Sequence, residues 1–230
     1  MNCSQRSSEP ELLDLGPSNY TLEEYVHCQS MLFRANRLLG VFRDTVHLLK
    51  PLAKTTSLLD VGCGGGLFLL HLSQYFPAMQ LTGIDIAPDA IAVAKKAQQV
   101  QGNKQVRFEW QSQPQLAWPE NSVDVLLATM VCHHLTDIEL VDFLQRAQRT
   151  ARHLVILHDL QRHALAHWVF KWFSPWVFKN KIITHDGLIS IRRSFTRVEW
   201  VRLLKLAGIT NYQLSWRFPF RWQIVFRGTK

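Results

Sequence analysis

Ser57-Leu58-Leu59-Asp60-Val61-Gly62-Cys63-Gly64-Gly65-Gly66 is the stretch from which the rest of the chain can be read. Leu58, Leu59 and Val61 predict a short buried strand, and a helix is expected to open behind the glycines at Leu67. Glycines at 62, 64, 65 and 66 let the backbone turn tightly and lie directly against a ligand. The N–H groups at the start of the following helix would face that ligand with favourable polarity. Strand, glycine turn and helix in this order make a nucleotide-cofactor cradle in an open α/β sheet.

The dinucleotide fingerprint GxGxxG fails in both registers, because the last glycine would fall on Leu67 or on Leu69. What stands there instead is an acid two residues before the first glycine, in Asp60-Val61-Gly62-Cys63-Gly64-Gly65-Gly66. A second acid, Asp85, ends a strand predicted over 79–84, and Pro88 opens the next helix. An acid about 20–25 residues beyond the first strand is placed to hold a ribose through two hydroxyls. The pattern resembles the first motif of class I S-adenosylmethionine-dependent methyltransferases, hydrophobic-hydrophobic-Asp-x-Gly-x-Gly-x-Gly. A sulfonium cation with an ammonium-carboxylate tail gains from a carboxylate beside the turn as well as from backbone donors.

The 230 residues suit one α/β domain with an added element, and 47% hydrophobic against 19% charged residues is ample for a core. A formal charge of +8 permits an anionic partner, but the excess is spread over Arg34, Arg37, Lys95, Arg192 and Arg217 without a block of like charge. Cysteines 3, 28, 63 and 132 show no paired spacing, which predicts reduced thiols and a cytoplasmic setting. The start of the chain is polar and no apolar run reaches the roughly 20 residues of a spanning helix.

Residues 1–19 read as a loose arm. Thr21 with Glu24 makes a capping box, so a helix should begin at Leu22, and a second should run from about Ser30 to Leu49 before Lys50-Pro51. From Ser57, strands (57–61, 79–84, 105–110, 122–129, 153–158) alternate with helices (67–76, 88–101, 136–151). That alternation means a parallel sheet covered on both faces, with all strand C-termini on one rim. The rim should carry Gly62–Gly66, Asp85, Ser112-Gln113, Met130–His134 and His158-Asp159. After Asp159 the repeat breaks into an aromatic, basic insert over 160–193, then a helix 197–207 capped by Thr196 and a hairpin of Tyr212–Phe218 and Arg221–Arg227.

The stretch 57–159 with the terminal helix and hairpin resembles a class I methyltransferase. The implied fold is α/β and Rossmann-like: a mostly parallel seven-stranded sheet with a C-terminal antiparallel hairpin, an N-terminal helical cap and an aromatic lid insert. Residues 1–50 would be flexible arm and cap, and 51–230 the methyltransferase domain with the lid at 160–193. The resemblance implies S-adenosyl-L-methionine as cofactor, held by Asp60, Gly62, Cys63, Gly64, Gly66, Asp85, Ile86, Ser112, Gln113 and Met130. The family commonly has Asp at the position of Ser112, so adenine recognition would be weaker or shared with Gln113. Asn36-Arg37-Leu38-Leu39-Gly40 has the look of a lid over the cofactor, an alternative being simple packing on the sheet edge. His133-His134-Leu135 resembles the small-molecule branch, and His185 to Phe195 resembles bacterial methyltransferases of polyketide or phenolic-lipid pathways.

Methyl transfer from a sulfonium requires alignment, exclusion of water and, for a phenol-type oxygen, a base that a neutral histidine can supply. The candidates are His158 and His185, each with an acidic neighbour, then His133 and His134, of which only one should face the pocket. These histidines lack the spaced cysteine and carboxylate partners of a zinc site, so no metal is expected. Trp168, Phe170, Trp172, Phe173, Trp176 and Phe178 either wall an apolar acceptor pocket or, with Lys171, Lys179 and Lys181, lie on a membrane surface. The expected acceptor is a small aromatic or lipid-like molecule, methylated on oxygen. A nucleic-acid methyltransferase is the rival, although Met130-Val131-Cys132-His133 stands where base-amino enzymes carry Asn/Asp-Pro-Pro-aromatic. A non-catalytic binding scaffold is the third class.

Overall fold

The computed structural model describes residues 5–16, 18–52 and 56–229, so Cys3 and Pro17 lie outside the described residues. Strands β1 (Ser57–Val61), β2 (Gln80–Asp85), β3 (Val106–Trp110), β4 (Val123–Thr129), β5 (Ala151–Leu160), β6 (Tyr212–Arg217) and β7 (Arg221–Arg227) join in one sheet. Their order is β3-β2-β1-β4-β5-β7-β6. Pairing is parallel from β3 to β5, and β7 is antiparallel between β5 and β6. This is the mostly parallel seven-stranded sheet with a terminal hairpin that the sequence predicts. The chain reverses its direction of growth between β1 and β4, and ligands of open α/β sheets bind at that crevice.

Alternation along the strands divides the core in two. Leu59, Leu126, Ala128, Val155 and Leu157 face the cluster under α5 (Asp137–Thr150) and α8 (Arg197–Leu206). Leu58, Val125, Leu127 and Ile156 face the cluster under α2 (Val41–Leu49), α3 (Leu67–Ser73) and α4 (Pro88–Val100). The same period sends His158 toward α2 and Asp159 to the other face, which decides the site chemistry below.

Three expectations need correction, and the insert takes a form that its composition left open. The capping box at Thr21 forms, but α1 runs unbroken over Leu22–Leu38, and the break comes at Gly40, whose φ of +82° a side chain would resist. β5 is longer than 153–158. The insert is two helices, α6 (Ala164–Phe178) and α7 (Lys181–Arg193). The polar residues after His185 are therefore helical, with Asp186 and Ser190 buried. Finally, residues 5–16 are tied down as a strap. Arg6 Nη1 donates to Asp137 Oδ1 at 2.8 Å and its Nε to Arg193 O at 2.7 Å. The N–H groups of Leu12 and Leu13 donate to Asp186 at 2.8 and 3.1 Å.

Gly66 caps α3 at φ +73°, where an added Cβ would stand 2.5 Å from Phe108 Cζ and 2.8 Å from Ala94 Cβ. Gly66→Ala is expected to cost about 2–5 kcal/mol, from a left-handed alanine plus overpacking, seen as a lower unfolding midpoint in denaturant.

Candidate active site

The glycine turn is braced from inside. Gly62 and Cys63 donate to Ile84 O at 2.8 and 3.0 Å, and Gly66 to Cys63 O at 3.0 Å. Gly64 donates to Asp85 Oδ2 at 2.8 Å, while the other Asp85 oxygen accepts from Ala87 N at 2.9 Å. Asp85 therefore shapes the turn with one lone pair of each oxygen, and a ribose would meet those remaining. Gly65 N–H donates to Gln29 Oε1 on α1 at 3.1 Å. The lid contact on the turn thus comes from Gln29 rather than from Asn36–Gly40. The Leu39 carbonyl of that segment is instead held by Arg221 at 2.5 Å.

Asp60 is wholly buried, and among the described residues nothing hydrogen-bonds its carboxyl. Burial, and then the charge of Asp85, push it up to about 8. Such a group calls for a cation. Cys63 is buried with its thiol also pushed up by burial. The Tyr25 hydroxyl is raised by burial and by the nearby Asp85 charge, so Tyr25 stands over this end of the rim. Tyr20 stacks on Tyr25 at 5.3 Å, and Leu13, Ala87 and Ile182 pack around them as an apolar roof.

After β3, Ser112 and Gln113 are exposed on the loop. Gln111, one residue earlier, has a buried Oε1 without a partner while its amide holds Gln113 O and Gln115 O at 2.7 and 2.8 Å. An orphaned acceptor there suits an amino group, and it is Gln111 rather than Ser112 that supplies it. Ile86 is exposed and accepts from Trp110 Nε1 at 3.0 Å. Met130 turns with φ +58° and donates its N–H to His158 O at 2.8 Å.

The histidines separate. His158 is fully buried beneath the rim, with Nε2 3.0 Å from Thr45 Oγ1, and burial with the charges of Arg221 and Arg217 lowers it to about 3. It is a neutral core residue, and its sequence neighbour Asp159 serves another ring. His185 does pair with Asp186, at 2.9 Å, but it sits exposed beside a surface depression lined by Pro175, Lys179 and Thr184. His133 is clasped between Asp159 Oδ1, 2.6 Å from Nδ1, and Glu11 Oε1, 3.5 Å from Nε2. Burial disfavours its charge, yet the two carboxylates prevail and raise it to about 10, so it is an imidazolium and no base. His134 lies against it at 4.3 Å, with Nδ1 3.0 Å from Asp14 Oδ2. Because a carboxylate only accepts, the Asp14 contact is donated by Nδ1–H, and in the neutral ring this tautomer has its lone pair on Nε2.

Glu11 and Asp14 are not marked in the sequence, because an acid in a polar arm looks like a solvated one. The clue available was their three-residue spacing, which puts both on one side of a tight turn. Ligand atoms of Glu11, His133 and His134 lie within 4.8 Å of one another, so carboxylate partners do reach these histidines, from across the chain. Both nitrogens of His133 face carboxylates, Nδ1 that of Asp159 and Nε2 that of Glu11. The aromatic insert also departs from expectation: Trp168, Trp172, Phe173 and Trp176 point outward, and only Phe170 and Phe178 turn partly inward, Phe170 against Gly187.

S-adenosylmethionine fits what is present, since the buried carboxyl of Asp60, which has no hydrogen-bond partner, would suit its ammonium and the free Oε1 of Gln111 would suit its amino group. A family profile described as a methyltransferase domain matches residues 58–153. Ajmaline N-methyltransferase of Rauvolfia serpentina is 28% identical over 114 residues, 49% of this chain and 39% of that protein. The 23S rRNA (uracil(747)-C(5))-methyltransferase RlmC of Shigella boydii is 37% identical over 93 residues, 40% of this chain and 23% of its own length. The match thus spans well under half of either relative. Among solved structures, the plantazolicin methyltransferase BpumL, crystallised with SAH, superposes with a TM-score of 0.66 at 17% identity, covering 93% of this chain and 91% of its own.

Two measurements test this electrostatic picture. Calorimetry of S-adenosylhomocysteine binding in buffers of different ionisation enthalpy should show release of about one proton at neutral pH as Asp60 ionises, and none in Asp60→Asn. The His133 triad has a raised folded pKa, so its stabilisation is complete below the unfolded value of about 6.5 and is lost as pH rises through about 10. Denaturant melts should lose stability over that window, and His133→Gln should remove the slope.

Proposed function

We propose that this chain, which belongs to the class I S-adenosylmethionine-dependent methyltransferases, methylates the oxygen of a small, largely apolar acceptor of phenol or polyketide type, with His134 as general base. The observation that carries the assignment is the His134–Asp14 pair, 3.0 Å apart, beside the Asp85 end of the rim. Bound cofactor supplies an electrophilic methyl group on a good leaving group. Asp60 holds the ammonium by charge, and Gln111 accepts from the adenine amino group. Gln29 and Tyr25 close over the turn and keep water out, which strengthens each polar contact inside.

The acceptor side is defined by Tyr20, Tyr25, Leu13 and Ile182, which offer stacking and apolar contact but few hydrogen-bond partners. An aromatic ring suits such a roof better than a polar metabolite does. A phenol, with a pKa near 10, is mostly un-ionised at neutral pH, so a base at its hydroxyl is worth about 10²–10⁴-fold. Asp14 keeps the proton on Nδ1 and so leaves Nε2 to receive the phenol's. His133, saturated by Asp159 and Glu11, stays a fixed cation and positions the second ring. Ajmaline N-methyltransferase is named for a small molecule, which supports an acceptor of that size, whereas RlmC is named for 23S rRNA.

His134→Gln should lower kcat on a phenolic acceptor about 10²–10⁴-fold while cofactor affinity stays unchanged. Asp14→Asn should fall between it and wild type, and His185→Gln, on the outer surface, should leave kcat near wild type. Full turnover by His134→Gln across the neutral range overturns the assignment of the base. Turnover confined to RNA overturns that of the acceptor.

A further inference from the structure

Helix α6 is the most unusual surface of the molecule. Leu165, Trp168, Val169, Trp172, Phe173 and Trp176 stand exposed at spacings of three and four, Trp176 to 81%, and together cover about half the helix circumference. The buried remainder of the helix, Ala166, His167 and Ser174 with Phe170 against Gly187, rests on α7. The apolar surface continues past the first turn. His163, the N-cap of α6, stacks on Phe220 at 5.1 Å, Trp216 donates to Gln161 Oε1 at 2.8 Å, and Phe218 beside it is 77% exposed. So broad an apolar face implies a partner.

Charge says which. From Leu160 to His185 there is no Asp or Glu, while Lys171, Lys179 and Lys181 are exposed along α6 and at the start of α7. Arg43 is open at the junction of α1 and α2, near the hairpin turn that Arg221 ties to Leu39 O. Two copies meeting through this face would bring lysines against lysines, whereas an anionic bilayer answers both the tryptophans and the cations. At 15 residues α6 is too short to cross, and no helix among the described residues is long and apolar enough to do so.

We propose that α6 and the β6–β7 turn form a peripheral docking surface for an anionic lipid bilayer, with α6 lying in the plane of the interface. The inward face of α7 holds the strap and takes no part in this docking, so the docking surface and the proposed methyl-transfer site are separate.

The full-length protein is to be co-sedimented with vesicles of phosphatidylcholine alone and of phosphatidylcholine mixed equally with phosphatidylglycerol. Wild type should partition onto the mixed vesicles, and salt should weaken the binding. The variant with Trp168→Ala, Trp172→Ala and Trp176→Ala should bind at least about tenfold more weakly while keeping its melting temperature and cofactor affinity, since these side chains are exposed. Ile138→Ala, an exposed apolar residue on α5 away from this face, serves as control and should bind like wild type. Wild type left in the supernatant, a triple variant that partitions like wild type, or a control that loses binding equally would each overturn the proposal. So would gel filtration showing a dimer that the triple variant dissolves, with no vesicle binding by wild type.

Discussion

A buried imidazolium at His133, held between Asp159 and Glu11, is the interaction on which this end of the rim depends. Isolated, a charge so deep would be neutralised at large cost, and two carboxylates would repel each other. Together they balance, and in doing so they join parts of the chain far apart in sequence: the end of β5, the short turn Cys132–His134 after β4, the strap and, through Ser190 at 2.7 Å from Glu11, helix α7. Arg6 and Arg193 finish the junction by donating to the carbonyls of Leu135 and His134, both at 2.8 Å. The strap is ordered because its acids have partners there, and those partners are charged because the strap is in place.

The cofactor side rests on a different constraint, the absence of Cβ atoms. Gly62 at φ +72° stands where a Cβ would strike Val131 at 2.5 Å, so the turn after β1 and the turn after β4 are pressed together. That pressure sets the crevice between them, with Asp60 below it and Asp85 beside it. Neighbouring strand ends thus carry opposite electrostatics: a buried acid without a hydrogen-bond partner on one, a buried cation on the other.

Helix α6 belongs to neither side. In a globular setting an all-round apolar helix is normally buried, and this one leaves half its circumference in the open. Its aromatic content was legible from composition, but composition has no direction. Only the contact of Phe170 with Gly187 shows which half faces the protein, and that contact leaves the tryptophans outside.

The sheet and the glycine turn, with Asp60 and Asp85 placed beside it, are legible in the sequence. These follow from local signals: period-two apolar strands, positive-φ glycines and capping boxes at Thr21, Thr136 and Thr196, all written within a few residues of where they act. The pairing of each histidine is fixed only in three dimensions. His158 and Asp159 are adjacent in the chain, but a strand sends neighbours to opposite faces, so His158 meets Thr45 and Asp159 meets His133. Glu11 and Asp14, the further acids on His133 and His134, come from more than a hundred residues away, in a polar arm whose order exists only once the rim is built. A proton's location depends on what surrounds the ring in space, and spacing along the chain carries no record of that.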